Sequence, residues 1–217
     1  MQLFHFFRKL QTHTDPIMKK SLIIAAAALA IMAAGCCNSS KKGASTMNKD
    51  FLDLAAERYS VRKYTDKPVE QEKLDKILEA GKLAPTAVNS QPQMIYVIKS
   101  PEALEKLNKL SPCIFGAPQV FLFCYNDDTV CQRGENDNYG EIDVTIVLTH
   151  MMLEAANLGI GTCPVGMFDP AETAAALGLP PTIHPILLMP FGYPAPDAAP
   201  SQMHTKYRPL EETVKYL

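Results

Sequence analysis

The segment ERYSVRKY, residues 57–64, is the part of the sequence around which we expect the fold and its binding site to be arranged. It follows a short amphipathic helix predicted for residues 50–57. If the segment is extended, its alternate residues share one side, so Arg58, Ser60 and Arg62 lie together. Two guanidinium groups that flank a hydroxyl group suit an anion with several oxygen atoms, above all a phosphate. Taken alone, the segment fits a solvated basic loop equally well.

A second basic cluster of the same design lies near the C-terminus. Lys206 and Arg208 again stand at alternate positions, just before Pro209. The chain as a whole is slightly acidic, with 21 Lys and Arg residues against 23 Asp and Glu residues. Basic pairs at both ends of one domain, in a chain without general positive charge, therefore predict a phosphate site that the two ends close.

Residues 1–35 are predicted to be an upstream extension followed by a signal peptide. Two lysines at positions 19 and 20 precede an apolar run over residues 22–34, which is the pattern of a secretory signal. The run is too short to span a bilayer comfortably. Met18 stands where such a signal begins, so residues 1–17 are expected to lie upstream of it. The alternative is a buried N-terminal helix, which the flanking charges disfavour.

The end of this signal predicts a lipid anchor. Residues 33–36, AAGC, resemble a bacterial lipobox, in which the cysteine is lipidated and becomes the mature N-terminus. Residues 36–48 then form a polar tether. We therefore expect an exported lipoprotein, periplasmic or at the cell envelope, that is anchored at Cys36 and meets the membrane only through its lipid.

Helices and strands alternate through residues 49–217, and their length allows one domain. Helices are predicted at 70–84, 101–110, 142–158 and 170–177, and strands at 93–99, 119–125 and 185–191. The pattern indicates the α+β class, of the three-layer type, in which helices flank a sheet. The helix at 142–158 is apolar on most faces, which predicts burial in a core or a subunit interface. Pro190 is expected to weaken the third strand, and residues 131–139 to form a polar loop.

The sequence offers no strong nucleophile, general base or metal site. It contains no GxxxxGK[ST], GxSxG or HExxH motif, and no nucleic-acid-binding motif or long basic run. His150, His184 and His204 lack metal-ligand spacing, so no ligand role is predicted for them. Buried cysteines are expected to act as small apolar residues. Such a chain takes its reactive atom from a cofactor.

Five motifs, in the same order, resemble those of the FMN-dependent nitroreductase family. They are RxSxR at 58–62, APTAxNxQP at 84–92, GxGTCPVGxF at 159–168, GYP at 192–194 and RPLEExV at 208–214. Each motif alone is weak, but the resemblance runs in the right order from about residue 49 to residue 216, which is nearly the whole mature chain. The resemblance implies a mixed sheet wrapped by helices in a domain-swapped homodimer, with FMN at two interface sites. The segment after Pro209 would swap onto the partner subunit.

The resemblance also assigns roles to residues at the predicted FMN site. Arg58, Lys206 and Arg208 would hold the phosphate. Ser60 and Arg62 would reach the ribityl chain or the pyrimidine edge, where positive charge stabilises reduced flavin.

Two loops would complete this site. Four residues of the second motif would line the cofactor of the other subunit: Pro85, Thr86, Ala87 and Asn89. The backbone of Pro164, Val165 and Gly166 would face the isoalloxazine ring near N5. A polar contact to the pyrimidine is expected from Asn108, Lys109 or Ser111, or is absent. No side chain is assigned a catalytic role, because flavin N5 is the reactive atom.

The resemblance implies an oxidoreductase with a two-step, ping-pong mechanism. NAD(P)H would reduce the flavin, and a nitroaromatic, a quinone or a similar small acceptor would then take the electrons. NAD(P)H is scarce outside the cytoplasm, so another electron donor stays open for an exported enzyme. Two alternatives also stay open: a dehalogenating or oxidising relative on the same scaffold, and an exported binding module without redox activity.

Overall fold

A four-stranded sheet lies at the centre of residues 50–217, the part of the chain that the computed structural model describes. The predictions for the signal peptide, Cys36 and the tether fall outside these described residues. The strands are β1 (Gln93–Ile98), β2 (Gln119–Asn126), β3 (Gln132–Gly134), β4 (Asp137–Asn138), β5 (Gly161–Thr162) and β6 (Ile183–Gly192). The central sheet has the order β1-β2-β6-β5, with every pair antiparallel, and β3 and β4 form a separate hairpin.

Six helices accompany the strands within the described residues. They are α1 (Phe51–Glu57), α2 (Gln71–Lys82), α3 (Pro101–Leu110), α4 (Gly140–Asn157), α5 (Pro170–Leu177) and α6 (Leu210–Thr213). Short 3₁₀ turns occupy Ala87–Asn89 and Pro112–Ile114. Asp169 caps α5, because its carboxylate accepts a hydrogen bond from the Glu172 N–H. None of the helices in residues 50–217 is long and apolar enough to cross a bilayer.

Two apolar cores, one on each face of the sheet, produce the three layers. Phe121 and Phe123 of β2 point to the face that α2 and α4 cover, and the ring of Phe121 stacks on Phe191 with centroids 4.0 Å apart. Leu122 and Cys124 point to the opposite face, where α3 supplies Leu107. Both faces of β2 are buried because its side chains are apolar at every position from Val120 to Cys124. The predicted α+β fold with helices on a sheet is therefore confirmed.

The predicted weakness of the third strand is wrong. The strand extends from Ile183 to Gly192, and β2 and β5 pair with it on its two sides. The carbonyl of Pro190 accepts a hydrogen bond from the Cys163 N–H at 3.2 Å and from the Tyr64 hydroxyl at 3.2 Å. The N–H and C=O groups of a strand residue lie on the same side, so the donor that proline lacks faces the short β5 edge. Pairing with β2 is thereby kept.

Two segments outside the predicted strands, one of them the predicted loop at 131–139, contain short strands. Residues 131–139 form the β3–β4 hairpin, in which the Arg133 guanidinium pairs with the Asp137 carboxylate at 2.7 Å. Residues 161–162 form β5, which adds to the edge of β6. The sheet is mixed because Ser60 also pairs with Thr162 in a parallel bridge, which joins the first basic segment to the fold.

Candidate cofactor site

The first basic segment lies against β5 and is extended, which is the condition under which its alternate residues share one side. The Val61 N–H donates to the Thr162 carbonyl at 2.9 Å, and the Val61 side chain is buried. A Cβ atom at Gly161 would lie 2.6 Å from Val61, so only glycine allows this close approach. Because Val61 points inward, Arg58, Ser60 and Arg62 share the opposite, more exposed side.

Ser60 and Arg62 lie beside the third motif. The Arg62 Nη1 atom donates to the Ser60 carbonyl at 3.2 Å, and its guanidinium lies 5.9 Å from the centroid of the Phe115 ring. Burial raises the pKa of the Cys163 thiol, and the positive charge of Arg62 and a hydrogen bond with Ser60 partly offset this rise. Cys163 therefore stays a neutral thiol at pH 7.

The three predicted residues of the loop after Cys163 differ in their backbone hydrogen bonds. The N–H and C=O groups of Val165 both pair with Leu188, at 2.8 Å and 2.9 Å. Pro164 has no N–H, and its carbonyl lies 3.8 Å from the Cys163 sulfur. The exposed Gly166 has an N–H with no acceptor among residues 50–217. Of the three predicted residues, Gly166 is thus the one whose N–H can donate to a bound ligand.

The second motif forms a strained loop above the start of α4. Thr86 accepts a hydrogen bond from the Gln91 N–H through Oγ1 at 3.0 Å, which closes the loop on itself. Val88, Asn89 and Gln91 all have positive φ angles, and 85% of the Val88 side chain is exposed. A β-branched residue in this region of φ is unusual, and such strain concentrates at functional sites.

Asp143, which the sequence analysis did not single out, supports this loop from α4. Its Oδ1 atom accepts a hydrogen bond from the Ala87 N–H at 2.9 Å. Asp143 is only 2% exposed, and its Oδ2 atom has no hydrogen-bond partner among the described residues. A carboxylate in the first turn of a helix that is apolar on most faces was the available signal, because a buried carboxylate needs a specific donor. Thr86 and Ala87 thus hydrogen-bond within their own loop and with α4, and not with the residues at 58–62.

The C-terminal arm, residues 193–208, runs back along the first basic segment. The Thr65 N–H donates to the Tyr193 carbonyl at 2.9 Å, and the Ala195 N–H donates to the Lys63 carbonyl at 3.0 Å. Farther along, the Lys63 ammonium pairs with the Asp197 carboxylate at 2.6 Å. This antiparallel course carries the second basic cluster towards the first.

The two cations of the arm differ in their surroundings. Arg208 is exposed, and its Nε atom donates to the Glu212 carboxylate at 3.0 Å. Lys206 is also exposed, and its ammonium group has no acceptor within the described part of the chain. Both are therefore open to a ligand, with Arg208 oriented by its acidic neighbour on α6.

The three residues considered for a polar contact before β2 differ in their hydrogen bonds. Ser111 is buried, and its hydroxyl donates to the Met167 carbonyl at 2.7 Å and accepts from the Cys113 N–H. Lys109 pairs with Glu105 on α3 at 2.7 Å. Of the three candidates, Asn108 alone is exposed and makes no side-chain hydrogen bond among the described residues.

These residues fit the chemistry of a flavin mononucleotide but do not enclose one. Arginine, lysine and hydroxyl donors match a phosphate, and the free Gly166 N–H matches a ring nitrogen acceptor. The cavity that touches Arg58 measures about 140 Å³, which is less than the roughly 300–1,000 Å³ of pockets that bury a ligand of drug size, and it is also lined by Val61 and Ala156. Ser60, Arg62 and Gly166 do not line it. The predicted donors are therefore not gathered around this cavity.

Comparison with known proteins identifies the family. Residues 55–113 and 108–193 match the sequence profile of the nitroreductase family. The chain is 32% identical over 172 residues to FMN reductase (NAD(P)H) of Bacillus subtilis strain 168, across 70% of this chain and 69% of that protein. The chain therefore belongs to the nitroreductase family, which confirms the resemblance drawn from the five motifs.

Solved structures agree with this assignment. The crystal structure of a nitroreductase family protein from Clostridium difficile 630 aligns with a TM-score of 0.72 at 37% identity, over 77% of this chain and 98% of that one. A nitroreductase from Desulfovibrio desulfuricans, solved in complex with FMN, aligns with a TM-score of 0.66 at 26% identity, over 77% and 96% of the two chains.

Proposed function

We propose that this chain is an FMN-dependent oxidoreductase that accepts electrons from NAD(P)H and passes them to a small acceptor such as a nitroaromatic or a quinone. The observation that carries the proposal is the meeting of three motifs at one edge of the sheet. Residues 58–62 pair with β5, β5 leads to Gly166, and the arm returns along residues 59–65. Support also comes from relatives named FMN reductase and from one solved with FMN bound.

The phosphate of FMN is held by the two basic clusters. Arg58 approaches from the first segment, and Lys206 and Arg208 approach from the arm. Charge-assisted hydrogen bonds from arginine are well suited to phosphate oxygens, because the planar guanidinium donates two parallel N–H groups. The Glu212 carboxylate fixes the Nε edge of Arg208, which leaves its terminal nitrogen atoms for the phosphate.

The remaining donors orient the ring system. When bound, FMN supplies the redox centre that accepts and releases two electrons. Ser60 would donate to the ribityl chain, and Arg62 would supply positive charge at the pyrimidine edge, where such charge stabilises reduced flavin. The Gly166 N–H would donate near N5, and Asn108 is the polar residue left for the pyrimidine. The side chains of this site bind and orient the FMN, and water supplies the protons.

The second wall of the site comes from a second copy of the chain. Pro85, Thr86, Ala87 and Asn89 then line the cofactor of the partner subunit. Exposed apolar residues support dimerisation, since large apolar patches mark interaction surfaces. They include Ile142 on α4 and, after Pro209, Leu210, Val214, Tyr216 and Leu217. Residues 210–217 have no buried side chain in the single chain, as expected of a segment that swaps onto a partner.

Export as a lipoprotein anchored at Cys36 is a further part of the proposal and rests on the sequence of residues 18–36. Expression of the full chain in a bacterial host with a labelled fatty acid tests it. Label in the membrane fraction that a Cys36→Ala variant loses supports the anchor. A chain that keeps Met18 at its N-terminus, without label, contradicts it.

The function is tested by an absorbance spectrum of the full chain purified without added flavin. We expect a flavin band near one equivalent per chain, released as FMN on denaturation and bleached by NADH or NADPH in the absence of oxygen. Bleaching by neither nucleotide would retain the flavoprotein but overturn NAD(P)H as donor. A colourless chain that also does not bind added FMN would overturn the enzyme function and favour a binding module that has only the fold of the family.

A further inference from the structure

One side chain attaches the end of the arm to the rest of the chain. Between Ser201 and Leu217, every residue is exposed except His204, which is half-buried. Its Nε2 atom lies 3.0 Å from the carbonyl oxygen of Ala56, in the last turn of α1. Because a carbonyl oxygen only accepts hydrogen bonds, Nε2 carries the proton in this contact. The imidazole ring also meets the ring of Tyr59 edge-on, with centroids 6.2 Å apart.

The contact joins two residues that each precede a basic cluster by the same number of positions. Ala56 stands two residues before Arg58, and His204 stands two residues before Lys206. Tyr59 reinforces the link, because its hydroxyl donates to the Ala198 carbonyl at 3.4 Å.

Other hydrogen bonds at the end of the chain are local. The Met203 N–H donates to the Ser201 hydroxyl, and the Lys206 N–H donates to the Met203 carbonyl. Bonds within a turn fix its shape but not its position against the rest of the chain. The position of Lys206 and Arg208 therefore depends on His204 more than on any other described residue of the segment 201–217.

We propose that His204 is a positioning residue that holds Lys206 and Arg208 beside Arg58, so that both clusters face one phosphate. The inference rests on the proposed FMN function, for which it names the residue that aligns the two halves of the phosphate site. Fixing the arm raises the local concentration of its two cations near Arg58, as any short tether does for a second binding group. A released arm must be ordered again each time the ligand binds, which weakens binding.

Comparing FMN with riboflavin, which lacks the phosphate, isolates this role. Dissociation constants are measured by quenching of flavin fluorescence on the flavin-free full chain. His204→Ala should raise the dissociation constant for FMN about five-fold, the factor expected for loss of one hydrogen bond, and leave that for riboflavin unchanged. His204→Gln, which keeps an N–H at similar reach, should restore most of the affinity. Gln202→Ala, an exposed position on the same arm, should bind FMN like the original chain.

If His204→Ala weakens the binding of FMN and of riboflavin by the same factor, the role of His204 is merely structural and the proposal is overturned. An unchanged FMN affinity in His204→Ala would also overturn it. Trypsin cleavage after Lys206, followed in the flavin-free chain, tests the attachment separately from FMN binding. We expect faster cleavage in His204→Ala than in Gln202→Ala. Equal rates would overturn the attachment, whereas a chain that binds no FMN at all would overturn only the proposed function.

Discussion

The β2–β6 strand pair and the C-terminal arm are held in place by different kinds of interaction. In the strand pair, side chains such as Phe121 and Leu188 are fully buried, and the hydrogen-bond ladder is continuous apart from one bulge after Phe123. Beyond Ser201, the arm has one half-buried side chain, His204, which hydrogen-bonds to the Ala56 carbonyl of α1. Apolar burial therefore determines the scaffold, whereas individual polar contacts position the residues assigned to the ligand.

The largest expected effect on stability is in the strand pair. Phe121→Ala should lower the free energy of unfolding by about 3–5 kcal/mol, because it leaves a cavity between β2, β6 and α4. Urea denaturation of the flavin-free chain measures this change. Leu83→Ala, an exposed apolar residue after α2, is the control and should stay within about 0.5 kcal/mol. Similar losses in both variants would contradict the assignment of the core.

The largest expected effect on binding is in the two basic clusters. The double variant Arg58→Ala, Arg208→Ala should purify without FMN and bind it at least about 100-fold more weakly, since each charged hydrogen bond contributes roughly 1.5–3 kcal/mol. Its free energy of unfolding without flavin should hardly change, because both side chains lie outside the apolar cores. Lys82→Ala with Lys106→Ala removes two exposed cations elsewhere and serves as the control. Stoichiometric FMN in the Arg58 and Arg208 variant would refute the phosphate assignment.

A smaller effect is expected at the loop that Asp143 supports. Asp143→Ala leaves the Ala87 N–H without its acceptor, which costs about 1–2 kcal/mol in unfolding free energy and also weakens FMN binding. Asp143→Asn keeps an acceptor oxygen and should therefore retain most of the stability and most of the FMN affinity. Thermal unfolding and FMN titration of the two variants measure the difference. If Asn is as damaging as Ala, the hydrogen bond to Ala87 is not what the loop requires.

The smallest effect is expected at Glu70, where the arm meets α2. A hydrogen bond from Lys67, followed by one from the Tyr193 hydroxyl, lowers the Glu70 pKa from 4.5 to about 2. Since the pKa is lower in the folded state, this contribution is complete above pH 4.5 and is lost as the pH falls towards 2. Solvent screens the exposed group, so the contribution is modest. The stability difference between the original chain and Glu70→Gln should shrink over that pH range, and a constant difference would contradict the linkage.

The contrast between apolar burial in the strand pair and individual polar contacts in the arm explains how much of the structure the sequence could predict. Continuous apolar runs identified β1 and β2, and the alternation of Arg58, Ser60 and Arg62 indicated that they share one side, because these patterns are local. The position of β6 between β2 and β5 was not predictable, since the effect of Pro190 depends on which side of the strand lacks a donor.

Residues that act across long separations were also missed. His204 and Ala56 are 148 positions apart, and Asp143 reaches Ala87 across 56 positions. Their spacing in the sequence carries no period that could indicate a contact. Val88 was missed for another reason: its positive φ is imposed by the closed loop, and a valine gives no signal of it.

The most direct test of the central claim is a crystal structure of the full chain with FMN. We expect phosphate oxygens within about 2.7–3.2 Å of nitrogen atoms of Arg58 and Arg208 of the same chain. The loop at residues 85–89 that lies against this cofactor should come from the partner subunit. A phosphate held by only one of the two basic clusters, or a cofactor enclosed by a single chain, would contradict the account.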